Sequence, residues 1–156
     1  MDAILVRAVE EDDLVPVVEL LRQLMEYSHS ESKLGLVQIK ELYTEMLRNP
    51  QHYKNMVATV NGAVVGLISV VYYKSFLSIG GTALINELVV SGTLRRSGIG
   101  SALVQAAIHI ARRDAMDQIE VGTERANDSA ASFYRKLGFG IEYGLFGLSL
   151  APTHVP

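Results

Sequence analysis

Residues 85–103, with the sequence INELVVSGTLRRSGIGSAL, constrain the fold more than any other part of the chain. An apolar stretch typical of a strand leads through a basic, glycine-containing loop into the pattern of an amphipathic helix. The first amides of a helix lack partners within it and carry the positive end of its dipole, so this order builds an anion site. Gly98 and Gly100 let a bulky diphosphate approach the backbone, and Arg95 and Arg96 add charged donors for its oxygens.

Two widespread phosphate-binding motifs do not fit this loop. The dinucleotide fingerprint needs a third Gly or Ala three positions after Gly100, where this chain has Leu103. The P-loop needs a lysine followed by Ser or Thr, and the loop contains no lysine. The pattern that fits is Arg-x-x-Gly-x-Gly after a strand, over residues 95–100. It resembles the pyrophosphate loop of the GNAT superfamily, the acetyl-coenzyme A-dependent N-acetyltransferases.

A second motif carries the same resemblance. Residues 127–139, NDSAASFYRKLGF, match the family pattern Asn-x-x-Ala-x-x-x-Tyr-x-x-x-Gly-Phe position for position. Two such motifs in the right order, and roughly the right distance apart, are far more specific than either alone.

Composition sets the broad class of protein. A chain of 156 residues with 49% hydrophobic and 20% charged residues predicts one globular domain, residues 1–156. The net charge of −3 gives no support for binding nucleic acid or an anionic membrane. Absence of cysteine excludes disulfides, thiolate metal sites and a cysteine nucleophile, and the four histidines lack metal-ligand spacing, so no metal site is predicted. No apolar run reaches the roughly 18 residues of a membrane span, and the acidic N-terminus does not look like a signal peptide, which makes the cytoplasm the default location.

Hydrophobic periodicity and turn residues predict the elements. Strands are expected at 3–8, 56–60, 63–73, 82–90, 119–122, 139–143 and 145–150. Helices are expected after a cap at Asp12 or Asp13 and at 37–48, 98–114 and 128–137. Asn61-Gly62 predicts a hairpin, Gly80-Gly81 a turn, the polar stretch 27–35 a loop, and Gly138 a helix C-cap. The fold class is therefore α/β with a mixed, mostly antiparallel sheet flanked by helices. This order matches the GNAT fold over nearly the whole chain, in which the sheet is splayed between two parallel strands.

The resemblance implies which residues hold the cofactor, acetyl-coenzyme A. The pyrophosphate is expected on Arg95, Arg96, Ser97, Gly98, Ile99, Gly100 and Ser101. Backbone groups of Leu88, Val89 and Val90 are expected along the pantetheine arm and the thioester carbonyl. Asn127 is expected to cap its helix and to contact the cofactor arm.

Two side chains are candidates for catalysis. Glu87 is a lone carboxylate in an apolar strand, and an alkyl amine of pKa about 10.4 is neutral only about once in a few thousand molecules at pH 7, so a base has a clear task. Alternatively Glu87 lies on a solvent face, and Glu120, Glu124 or water acts as base. Tyr134 resembles the family's general-acid tyrosine; the alternative is that it is an aromatic residue packed in the core.

The expected function is an N-acetyltransferase that moves the acetyl group to a primary amine on a small molecule. Absence of cysteine favours direct attack in a ternary complex. Alternatives are acetylation of a protein N-terminus or lysine, and a non-catalytic acyl-coenzyme A sensor. Acidic residues in the first half would suit a cationic amine, but solvated helix faces look the same. The apolar tail 145–150 either forms a homodimer contact or closes its own sheet.

Overall fold

The computed structural model describes residues 2–28 and 35–150, and the chain divides into two compact units, residues 1–122 and 123–156. Strands of the first unit are β1 Ile4–Ala8, β2 Tyr53–Val60, β3 Ala63–Ser75, β4 Ser78–Val90 and β5 Gln118–Val121. Its helices are α1 Leu14–Ser28, α2 Leu36–Leu47 and α3 Ile99–Arg113; α4, Asp128–Lys136, belongs to the second unit. The five strands form one sheet in the order β1-β2-β3-β4-β5, antiparallel except for the parallel pair β4–β5. The predicted mixed α/β fold is confirmed; the single domain stays a prediction.

The hairpin between β2 and β3 forms where Asn61-Gly62 predicts it. Both residues have positive φ, 50° for Asn61 and 80° for Gly62, as a tight two-residue turn requires. Val60 and Ala63 close the ladder on either side.

Helix α3 packs very closely on one face of the sheet. A Cβ added at Gly66 of β3 would lie 3.0 Å from side-chain atoms of both Ile99 and Leu103, so the missing side chain is what allows this approach. Ile68 and Val70, further along β3 on the same face, are completely buried. The first turn of α3, and the loop before it, are therefore fixed against the middle of the sheet.

Helices α1 and α2 cover part of the opposite face. Their apolar residues join β2, β3 and β4 in one buried cluster: Val9, Leu14, Val17, Val18, Leu20, Ile39, Val57, Leu67 and Val89. Leu67 and Val89 are paired across β3 and β4, so side chains in register with them on these two strands face the side of α1 and α2.

The start of α1 differs from the predicted cap. A short 3-10 turn, Glu11–Asp13, precedes the helix, and the Asp13 carboxylate accepts a hydrogen bond from the Glu10 N–H at 2.8 Å. Asp13 also pairs with Arg7 of β1 at 2.6 Å and is buried, and this hydrogen-bonded guanidinium lowers the pKa of the carboxyl. At the other end, α1 continues to Ser28; residues 29–34 of the predicted loop lie outside the described residues.

The turn predicted at Gly80-Gly81 is wrong, because β4 begins at Ser78 and runs through both glycines. A Cβ at Gly80 would lie 2.5 Å from the Ala115 carbonyl oxygen and from the Asp117 carboxylate, and Asp117 accepts a hydrogen bond from the Gly80 N–H at 2.8 Å. Gly81 has φ +97°. The glycines permit close backbone approach inside a strand instead of a reversal of the chain.

The two closing strands predicted at 139–143 and 145–150 are also wrong. Residues 139–150 have no strand pairing, and their large apolar side chains are exposed, among them Ile141, Tyr143, Leu145, Phe146, Leu148 and Leu150. Alternating apolar residues favour a strand only where one face is buried in a sheet. Without a neighbouring strand to pair with, this preference does not produce a strand.

Candidate functional site

The loop between β4 and α3 contains two residues with the left-handed backbone conformation. Arg95 is extended, whereas Arg96 has φ 63° and Gly98, the N-cap of α3, has φ 86° and ψ −5°. Residues in the left-handed region within a turn direct neighbouring N–H groups to one concave side, where an anion can bind several of them. A Cβ at Gly98 would meet no atom within 4 Å, so the space beside this helix N-terminus is open.

The side chains of the loop divide into two groups. Arg95, Arg96 and Ser97 are exposed, and the Ser97 hydroxyl donates a hydrogen bond to the Leu94 carbonyl. Ile99 is buried in the core, so only its backbone is left for a ligand. The two remaining predicted residues, Gly100 and Ser101, lie half-buried in the first turn of α3.

Gln23 of α1 is a contact of this loop that sequence reasoning missed. Its side-chain oxygen accepts a hydrogen bond from the Gly92 N–H at 3.1 Å, just before the basic residues of the loop. No local signal identifies such a residue, because the contact joins positions 69 residues apart in the chain.

The parallel pairing of β4 with β5 is short. Their pairing runs from Thr82 with Gln118 to Ile85 with Val121 and stops there. From Asn86 to Val90, the edge of β4 on that side has no ladder partner within the described residues. Leu88 and Val90 are half-buried and Val89 is buried, so their side chains serve packing while this backbone edge stays available.

A β-bulge at Asn86 decides where Glu87 lies. Ser69 of β3 pairs with Glu87, but the next residue, Val70, pairs with Ile85, so Asn86 is an extra residue in β4. Without it, alternation from Ile85 would turn Glu87 toward the buried face under α3. Instead Glu87 shares the opposite face with its partner Ser69, is half-buried, and accepts a hydrogen bond from the Ser69 hydroxyl.

The two alternative bases, Glu120 and Glu124, belong to different units of the chain. Glu120 of β5 pairs with Leu84 of β4. Its carboxylate accepts hydrogen bonds from the Tyr73 hydroxyl at 3.1 Å and from the Gln118 amide at 2.8 Å. Glu124 is exposed and belongs to the second unit. Glu87 and Glu120 thus both lie on strands of the sheet.

Within the second unit, the Asn127 side chain caps α4 by accepting a hydrogen bond from the Ala130 N–H at 3.0 Å, as predicted. Tyr134 is buried, with its ring edge-on to Phe133 and Phe139 at centroid distances of 5.0 and 5.4 Å. Burial raises the pKa of the Tyr134 phenol to about 12, so the group is protonated at neutral pH.

The C-terminal end of α4 also matches its prediction. Gly138, directly after the C-cap Leu137, has φ 97°, the conformation that favours glycine at this position.

The described residues contain no group of His, Asp or Glu side chains placed to hold a metal ion. Nor, over the same residues, is any helix both long and apolar enough to cross a membrane.

Comparison with known proteins agrees with this geometry. The model of the acetyltransferase (GNAT) family matches residues 15–139. An uncharacterised N-acetyltransferase of Methanocaldococcus jannaschii is 30% identical over 139 residues, which are 86% of this chain and 59% of that relative. An acetyltransferase structure from Trypanosoma brucei has a TM-score of 0.78 and 25% identity over 95% of this chain and 100% of its own. An aminoglycoside N-acetyltransferase in complex with coenzyme A has a TM-score of 0.79 and 16% identity over 96% of this chain and 97% of its own. The chain belongs to the GNAT family of acetyltransferases.

Proposed function

We propose that the protein transfers the acetyl group of acetyl-coenzyme A to a primary amine on a small molecule, by direct attack in a ternary complex. The observation that carries the proposal is the loop at the N-terminus of α3, which follows directly on the unpaired edge of β4. The structural likeness to an aminoglycoside N-acetyltransferase in complex with coenzyme A supports both the cofactor and the class of acceptor.

The residues of the first unit fit a diphosphate followed by an amide-containing arm. Amides of residues 95–101 and the Arg95 and Arg96 side chains would hold the pyrophosphate, where the open space at Gly98 admits it. The unpaired edge of β4 at residues 88–90 would bind the pantetheine arm, as an added strand binds a sheet edge. When bound, acetyl-coenzyme A supplies a thioester whose carbonyl carbon is attacked by the amine and whose thiolate leaves. Backbone N–H groups of the same edge would stabilise charge on the carbonyl oxygen.

Glu87 would remove the proton from the acceptor amine. Its hydrogen bond from Ser69 fixes the orientation of one carboxylate oxygen and leaves the other able to accept a proton, directly or through water. The bulge at Asn86 supports this role, because it places the carboxylate on the face opposite α3, where Glu87 is half-buried.

Tyr134 would donate a proton, or a hydrogen bond, to the departing sulfur. The pKa of about 12 keeps the phenol protonated across the physiological pH range, so it acts as a donor throughout. Asn127 would contact the cofactor arm in addition to capping α4.

The test is a pair of isosteric variants, Glu87→Gln and Tyr134→Phe, assayed by thiol release with an amine library. Each should lower kcat by about 10²- to 10⁴-fold, the range for losing general acid–base catalysis, while calorimetric affinity for desulfo-coenzyme A stays unchanged. Tyr43→Phe is the matched control for the tyrosine variant, because the hydroxyl of Tyr43, on α2, donates a hydrogen bond to the Val9 carbonyl at 3.1 Å and has no proposed role in catalysis. Full activity in both variants would disprove these roles, and absence of coenzyme A binding to the native chain would disprove the proposed function.

A further inference from the structure

A polar network lies on the face of the sheet that Glu87 shares, at the side of β5. The Tyr73 hydroxyl donates to one oxygen of the Glu120 carboxylate at 3.1 Å, and the Gln118 amide donates to the other at 2.8 Å. Gln118 also donates to the Thr82 hydroxyl at 3.2 Å. Tyr73 starts on β3 and reaches across β4 to β5, so its half-exposed ring lies over the sheet beside the carboxylate.

Glu120 keeps capacity for a further donor. An ionised carboxylate has about four acceptor positions, of which Tyr73 and Gln118 use two. Both donors are neutral, and Glu120 is in no ion pair with another part of the described chain. By contrast, Asp13 and Asp114 are each paired with arginine. The Glu120 charge is therefore oriented by two neutral donors and has no ion-pair partner among the described residues.

The ladder places Glu120 on the same face as Glu87. Leu84 of β4 pairs with Val71 on one side and with Glu120 on the other, so these three share a face. Val71 is two residues beyond Ser69 on β3, and Ser69 pairs with Glu87. Two residues along β3, from Ser69 to Val71, and one strand across correspond to a separation of about 8 Å between the backbone positions of Glu87 and Glu120.

We infer that Glu120 and Tyr73 form a second recognition point for the acceptor, selecting amines that carry another cationic group. The inference rests on the proposed function. One amine of such an acceptor loses its proton to Glu87 and is acetylated, while the second remains protonated, because alkyl amines have a pKa of about 10.4. The second ammonium lies beside the Glu120 carboxylate, which Tyr73 orients through its hydroxyl. The preferred acceptors are then diamines and related polycations.

The test compares two acceptors of equal length, α,ω-diaminoheptane and aminoheptanol, of which the second replaces one amine by a neutral hydroxyl. The native protein should show a kcat/KM at least about fivefold higher for the diamine, as expected for one partly exposed ion pair. A twofold gain would follow from its two equivalent amines alone. The advantage should shrink as salt is raised, because exposed charges are screened.

The variant Glu120→Gln should lower the ratio of the two kcat/KM values, diamine over aminoheptanol, to the twofold that the two equivalent amines give. Asp2→Asn removes the same charge beside the β2–β3 turn, where Asp2 accepts a hydrogen bond from Asn61, and should keep the advantage. A kcat/KM ratio of about twofold or less in the native protein would overturn the inference and leave the proposed function standing. Transfer to neither acceptor would overturn the proposed function and the inference with it. A diamine advantage that does not shrink as the salt is raised would also overturn the inference, and this measurement does not depend on how the variant folds.

Discussion

The substitution Gly98→Ala separates backbone strain from ligand contact in the anion loop. Gly98 has φ 86°, a left-handed conformation that alanine adopts at a cost of about 1 kcal/mol. For a chain of this size, that destabilisation corresponds to a fall in Tm of about 2–4 °C. No atom lies within 4 Å of the added Cβ, so no steric term adds to the strain.

The same open space makes the effect on binding much larger than the effect on stability. If a phosphate occupies the space, the new methyl group separates it from the amides at the start of α3. Losing one charge-assisted hydrogen bond costs about 1.5–3 kcal/mol, which is a rise of about ten- to hundredfold in the Kd for coenzyme A. Calorimetric titration with desulfo-coenzyme A measures this change directly.

The chain contains a matched control in Gly62, which turns the hairpin between β2 and β3. Its φ is 80°, and an added Cβ there also meets no atom within 4 Å. Gly62→Ala should therefore lower the Tm by a similar amount and leave the Kd for coenzyme A unchanged. Native affinity in Gly98→Ala, or equal weakening in both variants, would refute the assignment of the loop as the pyrophosphate site.

Two further predictions concern stability. Asp13→Ala should lower the free energy of unfolding at pH 7 by about 2–3 kcal/mol, because Arg7 and the Glu10 N–H lose their buried acceptor. Since Arg7 lowers the pKa of Asp13, this contribution is present above pH 3.8 and is lost as the pH falls through the folded-state pKa. Urea unfolding of the native protein and the variant, at pH 7 and at lower pH, checks this. A stability difference that does not change with pH would contradict it. An unfolded Tyr134 phenol loses its proton from about pH 10, whereas the folded one keeps it to about 12, so stability should fall across this window by up to about 3 kcal/mol. Melting curves at rising pH should show a smaller fall for Tyr134→Phe than for the native chain, and an identical fall would refute the buried phenol as its source.

Elements with a local cause were predictable from the sequence. Asn61 and Gly62 both accept positive φ, so their dipeptide specifies a tight hairpin wherever its neighbours lie. The start of α3 was predictable for the same reason, because Gly98 adopts the left-handed φ before the helix and the apolar residues after it recur with helical spacing. The family motifs identified the candidate site residues, which hydrophobic periodicity alone does not identify.

The features that were missed depend on partners distant in the chain. Gly80 and Gly81 look like a turn because glycine is common in turns, yet the cause of glycine here is the approach of Ala115 and Asp117. The tail at 139–150 has the composition of strands, and composition does not provide an edge to pair with. Likewise, the face on which Glu87 lies depends on the register between β3 and β4, which no local pattern encodes.

Asn86 connects two features of β4 that first look separate. Pairing with β5 stops at Ile85, and the next residue is the bulge that reverses which side chains face α3. Directly before Asn86, β4 is paired with strands on both sides. After Asn86, its backbone edge on the side of β5 is unpaired within the described residues, and Glu87 faces the side of α1 and α2. Under the proposed function, the backbone edge then serves the acetyl donor and the side-chain face serves the acceptor. A single strand can hold both reactants at one point, which is what direct transfer without a covalent enzyme intermediate requires.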